Sequence, residues 1–91
     1  MSSGMSEAME RYAKECTVQI YYQHCNSPRT AQVYTEIAQS MTAKFKEKFK
    51  DIAWSCVASA ADSVIGWSLF CNTWIMLQIE DILVFLFDDK P

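Results

Sequence analysis

Few residues of this chain have the types and spacing that catalysis requires. His24 is the single histidine, and it has no plausible nucleophile beside it. It therefore gives only weak support for acid–base or covalent chemistry. Glu80 and Asp81 form a carboxylate pair, but they lie where a hairpin turn is predicted, and two acids at a turn are normally solvated. The two glycines do not form a phosphate-binding loop. We therefore expect no enzyme and no cofactor.

The cysteines are the other residues that could carry chemistry. They are Cys16, Cys25, Cys56 and Cys71. None forms a Cys-x-x-Cys pair, and the adjacent His24 and Cys25 do not have zinc-box spacing, so no metal site is expected. Residues 1–6 are polar and small and lack the apolar region of a signal peptide, which favours a cytoplasmic protein with reduced thiols. Cys25, beside a turn, is predicted to be the most exposed thiol, and the others are predicted to fill the core.

Charge and hydropathy exclude two further classes. The net charge is −3 and the pI about 4.9, whereas a nucleic-acid-binding domain usually has a basic face. Lys44, Lys46, Lys48 and Lys50 are interpreted as the solvated end of a helix, with a patch for anionic membranes or a partner as the alternative. The most apolar stretch, residues 74–87, is split by Glu80 and Asp81, so no transmembrane segment is expected.

The length and apolar content of the chain predict one domain that associates with another chain. Residues 1–91 form a single domain, and a domain this small buries about 60–65 % of its unfolded surface. Hydrophobic residues make up 51 % of the sequence and aromatic residues 13 %, more than a small core easily hides. The surplus indicates an apolar surface that a second chain covers.

Two amphipathic helices are predicted in the first half of the chain. Residues 1–5 are predicted to be a flexible tail and Ser6 an N-cap. The apolar face of the first helix is predicted to be Met9, Tyr12, Ala13, Cys16 and Ile20. Asn26-Ser27-Pro28 is typical of a segment that ends one helix and begins the next, with Ser27 as the cap of the second helix and Pro28 in its first position. The stripe of the second helix is Tyr34, Ile37, Ala38, Met41, Phe45 and Phe49, and this helix is predicted to end near residues 50–51.

Four strands are predicted in the second half, at residues 53–58, 63–69, 73–79 and 82–87. Helices that precede strands favour an α+β domain, with two N-terminal helices on a four-stranded antiparallel sheet. The last two strands are apolar on both faces, although a sheet with helices on one face usually has a polar, solvent-exposed opposite face. Either a second chain covers the other face, or the sheet curls on itself.

Several segments, taken in order, resemble the eight-kilodalton dynein light chains over nearly the whole chain. They are Met5-Ser6-Glu7, Glu15-Cys16, Glu36-Ile37-Ala38, Phe45 with Phe49, Trp54-x-Cys56-Val57, and Leu83-Val84-Phe85-Leu86-Phe87. The divergence is similar to that of light chains in the surface layer of parasitic flatworms. The resemblance implies a strand-exchanged homodimer of the dynein motor complex, cytoplasmic and cytoskeleton-associated. It also implies β-strand addition of a partner, either the dynein intermediate chain or a disordered peptide.

The resemblance also implies positions for the binding groove and the dimer interface. The exchanged strand corresponds to Ser63, Val64, Ile65, Gly66, Trp67 and Ser68. The groove consists of Val64 through Ser68 together with a floor of Trp74, Met76, Gln78, Leu83 and Phe85. The dimer interface consists of Ser55, Ser63, Val64, Ile65, Gly66 and Trp67. The alternative is that the five floor residues belong to the hydrophobic core of the sheet and bind no partner.

The chain departs from the family pattern in five places. The short strand before the first helix is expected to be missing, and about eight residues are inserted around residues 26–32. Tyr34-Thr35 replaces a Glu-Lys pair, Val64-Ile65-Gly66-Trp67 replaces Phe-Gly-Ser-Tyr, and Ser55 replaces a histidine. These departures leave open a rival function, that of a structural or membrane-cortex protein without the usual groove.

Overall fold

The computed structural model describes residues 2–62 and 72–89. Strand β1 (Ser2–Ser3) is followed by helices α1 (Glu7–His24) and α2 (Ala31–Lys48). Strands β2 (Trp54–Ala60), β3 (Trp74–Ile79) and β4 (Ile82–Asp88) complete the described part. The α+β prediction is confirmed, with two helices on a four-stranded antiparallel sheet in the order β1-β3-β4-β2.

The helices begin at side-chain caps. Ser6 accepts a hydrogen bond from the Met9 amide at 3.2 Å, which confirms the predicted start of α1. The prediction that Ser27 and Pro28 begin the second helix is wrong, because Thr30 accepts from the Val33 amide at 3.2 Å and α2 begins at Ala31. The physical reason is Arg29, whose Nη1 donates to the carbonyls of His24 at 3.0 Å and Ser27 at 2.9 Å and so holds residues 27–29 against the end of α1.

The predicted helix stripes form the core between the helices and the sheet. Ala13, Cys16 and Ile20 of α1 and Ile37, Met41 and Phe45 of α2 are buried. The Phe45 ring lies 5.2 Å from Tyr12, 5.5 Å from Phe49 and 4.9 Å from Trp54, between ring centroids. The Trp54 indole N–H donates to the Phe49 carbonyl at 3.0 Å, which ties the end of α2 to the start of β2. Neither described helix is long and apolar enough to cross a membrane.

The β3–β4 hairpin turns through Glu80 and Asp81, as predicted. Ile79 pairs with Ile82, so two residues form the connection, and Glu80 takes a φ of 51°. The predicted strands at 53–58, 73–79 and 82–87 are confirmed to within two residues. The predicted strand at 63–69 lies outside the described residues.

The prediction of a flexible tail over residues 1–5 is wrong for Ser2 and Ser3, and so is the expectation that the strand before α1 is missing. Ser2 and Ser3 pair antiparallel with Ile75 and Trp74. The Ser2 hydroxyl also donates to the carboxylate of Glu10. Gly4, with a φ of +69°, turns the chain from β1 toward α1. A Cβ at this position would collide with the Asn72 carbonyl oxygen, so the turn requires glycine.

Candidate functional site

The two faces of the sheet have different neighbours. Ile75, Val84 and Leu86 face the helices and belong to the main core. Alternate residues on the opposite face form a second cluster, in which Trp74, Phe85 and Phe87 are buried and Val57 and Met76 are half-buried. We call this surface the outer face. It exists because the side chains of a strand alternate between the two faces of a sheet.

All five residues of the predicted groove floor lie on the outer face. Met76 pairs with Phe85 and Gln78 pairs with Leu83, while Trp74 lies 5.9 Å from Phe85 between ring centroids. Trp74 is 9 % exposed, Leu83 8 % and Phe85 0 %. Met76 is half-buried and Gln78 is exposed, with its Nε2 donating to the Glu80 carbonyl at 3.1 Å. The structure therefore brings the predicted floor together, and its open part consists of Met76 and Gln78.

The predicted interface residues are described only in part. Ser55 pairs with Phe87 and therefore lies on the outer face, beside the aromatic cluster. The remaining residues of the predicted interface and exchanged strand, at positions 63–68, lie outside the described residues. Their assignment stays a prediction.

Strand β2 offers a sheet edge that the sequence analysis did not identify. Within residues 2–62 and 72–89, β2 pairs with a strand on one side only, that of β4. The Ala61 amide donates to the Asp81 carbonyl at 2.9 Å and the Asp89 amide to the Ala53 carbonyl at 2.7 Å, so odd-numbered residues direct their backbone groups to β4. By the alternation of antiparallel pairing, Cys56, Ala58 and Ala60 direct theirs to the outer edge.

An open groove of about 610 Å³ lies between α2 and this edge. One wall is residues 56–60 of β2. The other wall belongs to α2 and comprises Ala31, Tyr34, Thr35, Ala38, Gln39 and Thr42. We call this feature the α2–β2 groove. A sequence signal for it exists, because small residues recur at positions 31, 35, 38 and 42, which share one side of a helix.

The candidate catalytic residues are engaged elsewhere in the fold. Arg29 binds Asp81 through two hydrogen bonds, and this contact lowers the pKa of the Asp81 carboxyl. His24 Nδ1 lies 4.0 Å from Glu36 Oε2. Among the described residues, no group of three His, Cys, Asp or Glu side chains could hold a metal ion.

The three described cysteines are free thiols. Cys16 is buried, while Cys25 and Cys56 are half-buried. Burial raises the pKa of the Cys16 thiol, and burial raises the pKa of the Cys56 thiol to about 12. Cys56 is therefore a neutral side chain in the wall of the α2–β2 groove.

The architecture matches solved structures over nearly its whole length. The dynein light chain-like domain of the Fasciola hepatica calcium binding protein FhCaBP2 superposes with a TM-score of 0.76 in its native crystal, at 16 % identity, covering 99 % of this chain and 88 % of that one. Its mercury derivative gives a TM-score of 0.75 at 15 % identity, covering 100 % and 90 %. The chain has the dynein light chain fold.

The expected resemblance is thereby confirmed at the level of the fold, and a flatworm domain is among the similar structures. No protein-family model and no curated protein matches the sequence. Among the described residues, the α2–β2 groove is an open cleft and the outer face carries a second cluster of apolar side chains.

Proposed function

We propose that this chain is a dimeric, non-enzymatic adaptor of the dynein light chain type, which binds extended partner segments by β-strand addition. The observation that carries the proposal is the outer edge of β2 beside the open α2–β2 groove. An edge strand with unpaired backbone groups is a template for another strand. The partners would be the dynein intermediate chain or disordered peptides, in a cytoplasmic, cytoskeleton-associated setting.

The backbone of β2 supports strand addition directly. The outward N–H and C=O groups of Cys56, Ala58 and Ala60 would pair with the exchanged strand of a second copy, and a partner segment would add beside that strand. Helix α2 packs on β2 from the helix side. Five residues of strand span about 16 Å. The α2 wall, from Ala31 to Thr42, also spans about 16 Å. The two walls of the groove therefore match in length.

Dimerisation follows from the outer face and residues 63–68 in this proposal. The exchanged segment of a second copy would pair with the edge of β2, close to Ser55. Met76 and Val57 are half-buried within one chain, and contact with a second copy would remove them further from water. A partner segment would then lie beside residues 63–68, close to the floor residues Met76 and Gln78.

One observation favours a second candidate function. Trp74, Leu83 and Phe85 are at least 91 % buried within one chain, so most of the expected floor is inaccessible to a partner side chain. This burial fits a structural or membrane-cortex protein that keeps the fold without the usual peptide groove. The two functions differ in peptide binding and share the fold.

Sedimentation at micromolar concentration tests the dimer, and a pulldown followed by mapping of the bound segment tests the adaptor. The adaptor proposal expects twice the chain mass and a short extended segment in the partner. With Ser55 at the position of the usual histidine, dissociation should change little between about pH 7 and pH 5.5. A monomer at these concentrations would contradict the dimer. A dimer that retains no peptide would favour the structural function.

A further inference from the structure

The loop between α1 and α2 presents a serine whose described hydrogen bonds are made by its backbone. The Ser27 amide donates to the His24 carbonyl at 2.9 Å, and the Ser27 carbonyl accepts from Arg29 Nη1 at 2.9 Å. Ser27 is half-buried, and its neighbours Asn26 and Pro28 are exposed. The hydroxyl of Ser27 is therefore available for covalent modification at the surface.

Ser27 is followed by proline, which is the dipeptide that proline-directed protein kinases recognise. The two prolines of the chain are Pro28 and Pro91, and Pro91 follows Lys90, so Ser27 is the only Ser or Thr that precedes a proline. Residues 28–30 belong to neither a helix nor a strand. Because proline restricts the residue before it to extended backbone, it favours the form in which kinases bind their substrates.

Arg29 provides a counter-charge for a phosphate on Ser27. It is the only Lys or Arg between Lys14 and Lys44. Its Nη1 lies 2.9 Å from the Ser27 carbonyl oxygen, and the hydroxyl oxygen of the same serine is only a few bonds from that carbonyl. A phosphate on the hydroxyl can therefore reach the guanidinium, and arginine binds phosphate oxygens through paired, charge-assisted hydrogen bonds.

The Arg29 guanidinium is already bound to a carboxylate. Its Nε and Nη2 donate to Asp81, at 2.8 and 3.1 Å, and its Nη1 donates to the carbonyls of His24 and Ser27. A phosphoserine carries about 1.5 to 2 negative charges at pH 7, whereas the Asp81 carboxylate carries one. The two anions repel each other, and Glu80 adds negative charge beside Asp81. A phosphate only two positions from Arg29 should therefore displace the carboxylate.

We propose that Ser27 is a phosphorylation site for a proline-directed kinase, and that the phosphoserine takes Arg29 from Asp81. In the transfer, the Ser27 hydroxyl oxygen forms a bond to the γ-phosphorus of ATP, and the bond from that phosphorus to the β–γ bridging oxygen breaks. ADP leaves, and the hydroxyl proton passes to a base of the kinase. The Asp81 carbonyl accepts from the Ala61 amide just after β2, so release of Asp81 loosens the contact between the β3–β4 turn and the end of β2.

Incorporation of phosphate into the folded protein tests the site. A cyclin-dependent kinase with ATP should add one phosphate to the parent, which mass spectrometry should place on Ser27. Ser27→Ala should incorporate none, and Pro28→Ala, which keeps the serine, should lose most of the incorporation. A parent that stays unmodified, or a Ser27→Ala variant modified at the parent's rate, would overturn the site.

Melting temperatures test the exchange of partners. Asp81→Asn should lower the melting temperature of the unmodified protein but should leave that of the phosphorylated protein unchanged, because phosphorylation has already broken the same contact. Hydrogen exchange should show faster exchange of the Ala61 amide after phosphorylation. An Asp81→Asn effect of undiminished size in the phosphorylated protein would overturn the exchange.

Phosphorus NMR tests the new contact directly. A nearby cation favours the dianion, so Arg29 should hold the second pKa of the phosphoserine below its ordinary value of about 6. In phosphorylated Arg29→Gln this pKa should return to the ordinary value. A phosphate pKa that is the same in the two proteins would mean that Arg29 does not bind the phosphoserine, and would overturn the proposal.

Discussion

Arg29 and Asp81, fifty-two positions apart, join the α1–α2 loop to the β3–β4 turn by a bidentate ion pair. Arg29 Nε lies 2.8 Å from Asp81 Oδ2, and Arg29 Nη2 lies 3.1 Å from Asp81 Oδ1. The same guanidinium donates to the carbonyl of His24, the last residue of α1, and to that of Ser27 in the loop that follows. The Asp81 carbonyl also accepts a hydrogen bond from the amide of Ala61, just after β2. Asp81 therefore joins the α1–α2 loop, the β3–β4 turn and the end of β2.

The Arg29–Asp81 contact predicts a pH dependence of stability. The hydrogen bond from Arg29 lowers the pKa of Asp81 below its ordinary value of 3.8, so the ionised form favours the folded state. This stabilisation is complete above the unfolded-state pKa and is lost as the pH falls through the lower, folded-state pKa. Asp81→Asn should therefore melt at a lower temperature than the parent at pH 7, by a small amount because the pair is solvent-exposed.

The control for this effect is the Arg29→Gln variant, which removes the other partner. The loss of stability in the double variant should not exceed the sum of the losses in the two single variants, because both single changes remove the same contact. Equal melting temperatures of Asp81→Asn and the parent at both pH 7 and pH 3 would contradict the contribution of this contact.

Phe45 is predicted to be the most sensitive core position on α2. Its ring is fully buried and contacts Tyr12, Phe49 and Trp54, so Phe45→Ala removes packing on three sides. The free energy of unfolding, measured with urea, should fall by about 3–5 kcal/mol. Tyr22→Ala is the control, because Tyr22 is 70 % exposed, and its effect should stay within about 0.5 kcal/mol. Similar losses in the two variants would contradict the described core.

Two neighbouring residues of β3 provide a test of the outer face. Met76 lies on that face, whereas Leu77 packs against the main core. Met76→Lys should keep the helical circular dichroism signal and reduce partner binding by about 10-fold or more, because a charge enters the apolar floor. Leu77→Lys, at a half-buried position that packs against the main core, should instead lower the melting temperature. Unchanged binding by a folded Met76→Lys protein would mean that partners dock elsewhere, and an unfolded one would mean that Met76 is core.

The thiols should differ in reactivity in the folded protein. Because the raised pKa of Cys56 leaves almost no thiolate at pH 7.5, and Cys16 is buried with its pKa also raised, Cys25 should react with iodoacetamide well before either of them. Mass spectrometry of a Cys71→Ser variant measures the order directly. Labelling of Cys56 as fast as Cys25 would contradict the burial of its sulfur.

Cys25→Ser should melt within about two degrees of the parent, since the residue ends a helix at the surface.

Local patterns predicted the elements well because short-range physics decides them. Ser6 has the residue type of a cap and begins α1, and the four-residue spacing of Ile37, Met41 and Phe45 places them in the core. The start of α2 was mispredicted because Arg29 binds the carbonyls of His24 and Ser27 and is itself fixed by Asp81, fifty-two residues away, so that Thr30 and not Ser27 caps the helix. No local rule contains that contact.

The candidate site was predicted in part for the same reason. The shared face of Trp74, Met76 and Phe85 follows from alternation along two strands, and the structure places them together. Their degree of burial depends on strand order, and so does the position of β2 at the edge of the sheet within the described residues; the pattern of residues 54–60 does not encode that order. Peptide binding, strand exchange and the interface at residues 63–68 stay predictions.

Gly4 holds a two-residue strand against the edge of β3. As the residue that turns the chain out of β1, it keeps Ser2 and Ser3 on β3, and so covers the start of a strand edge that would otherwise attract other chains. Gly4→Ala places a methyl group against the Asn72 carbonyl, which should detach β1 while the helices and the hairpin persist. Light scattering should then rise with concentration and time for Gly4→Ala and stay at the parent level for Ser3→Ala. Equal scattering of the two variants would contradict this role. Greater scattering by Gly4→Ala would mean that a single added methyl group is enough to let the chain associate through its sheet edge.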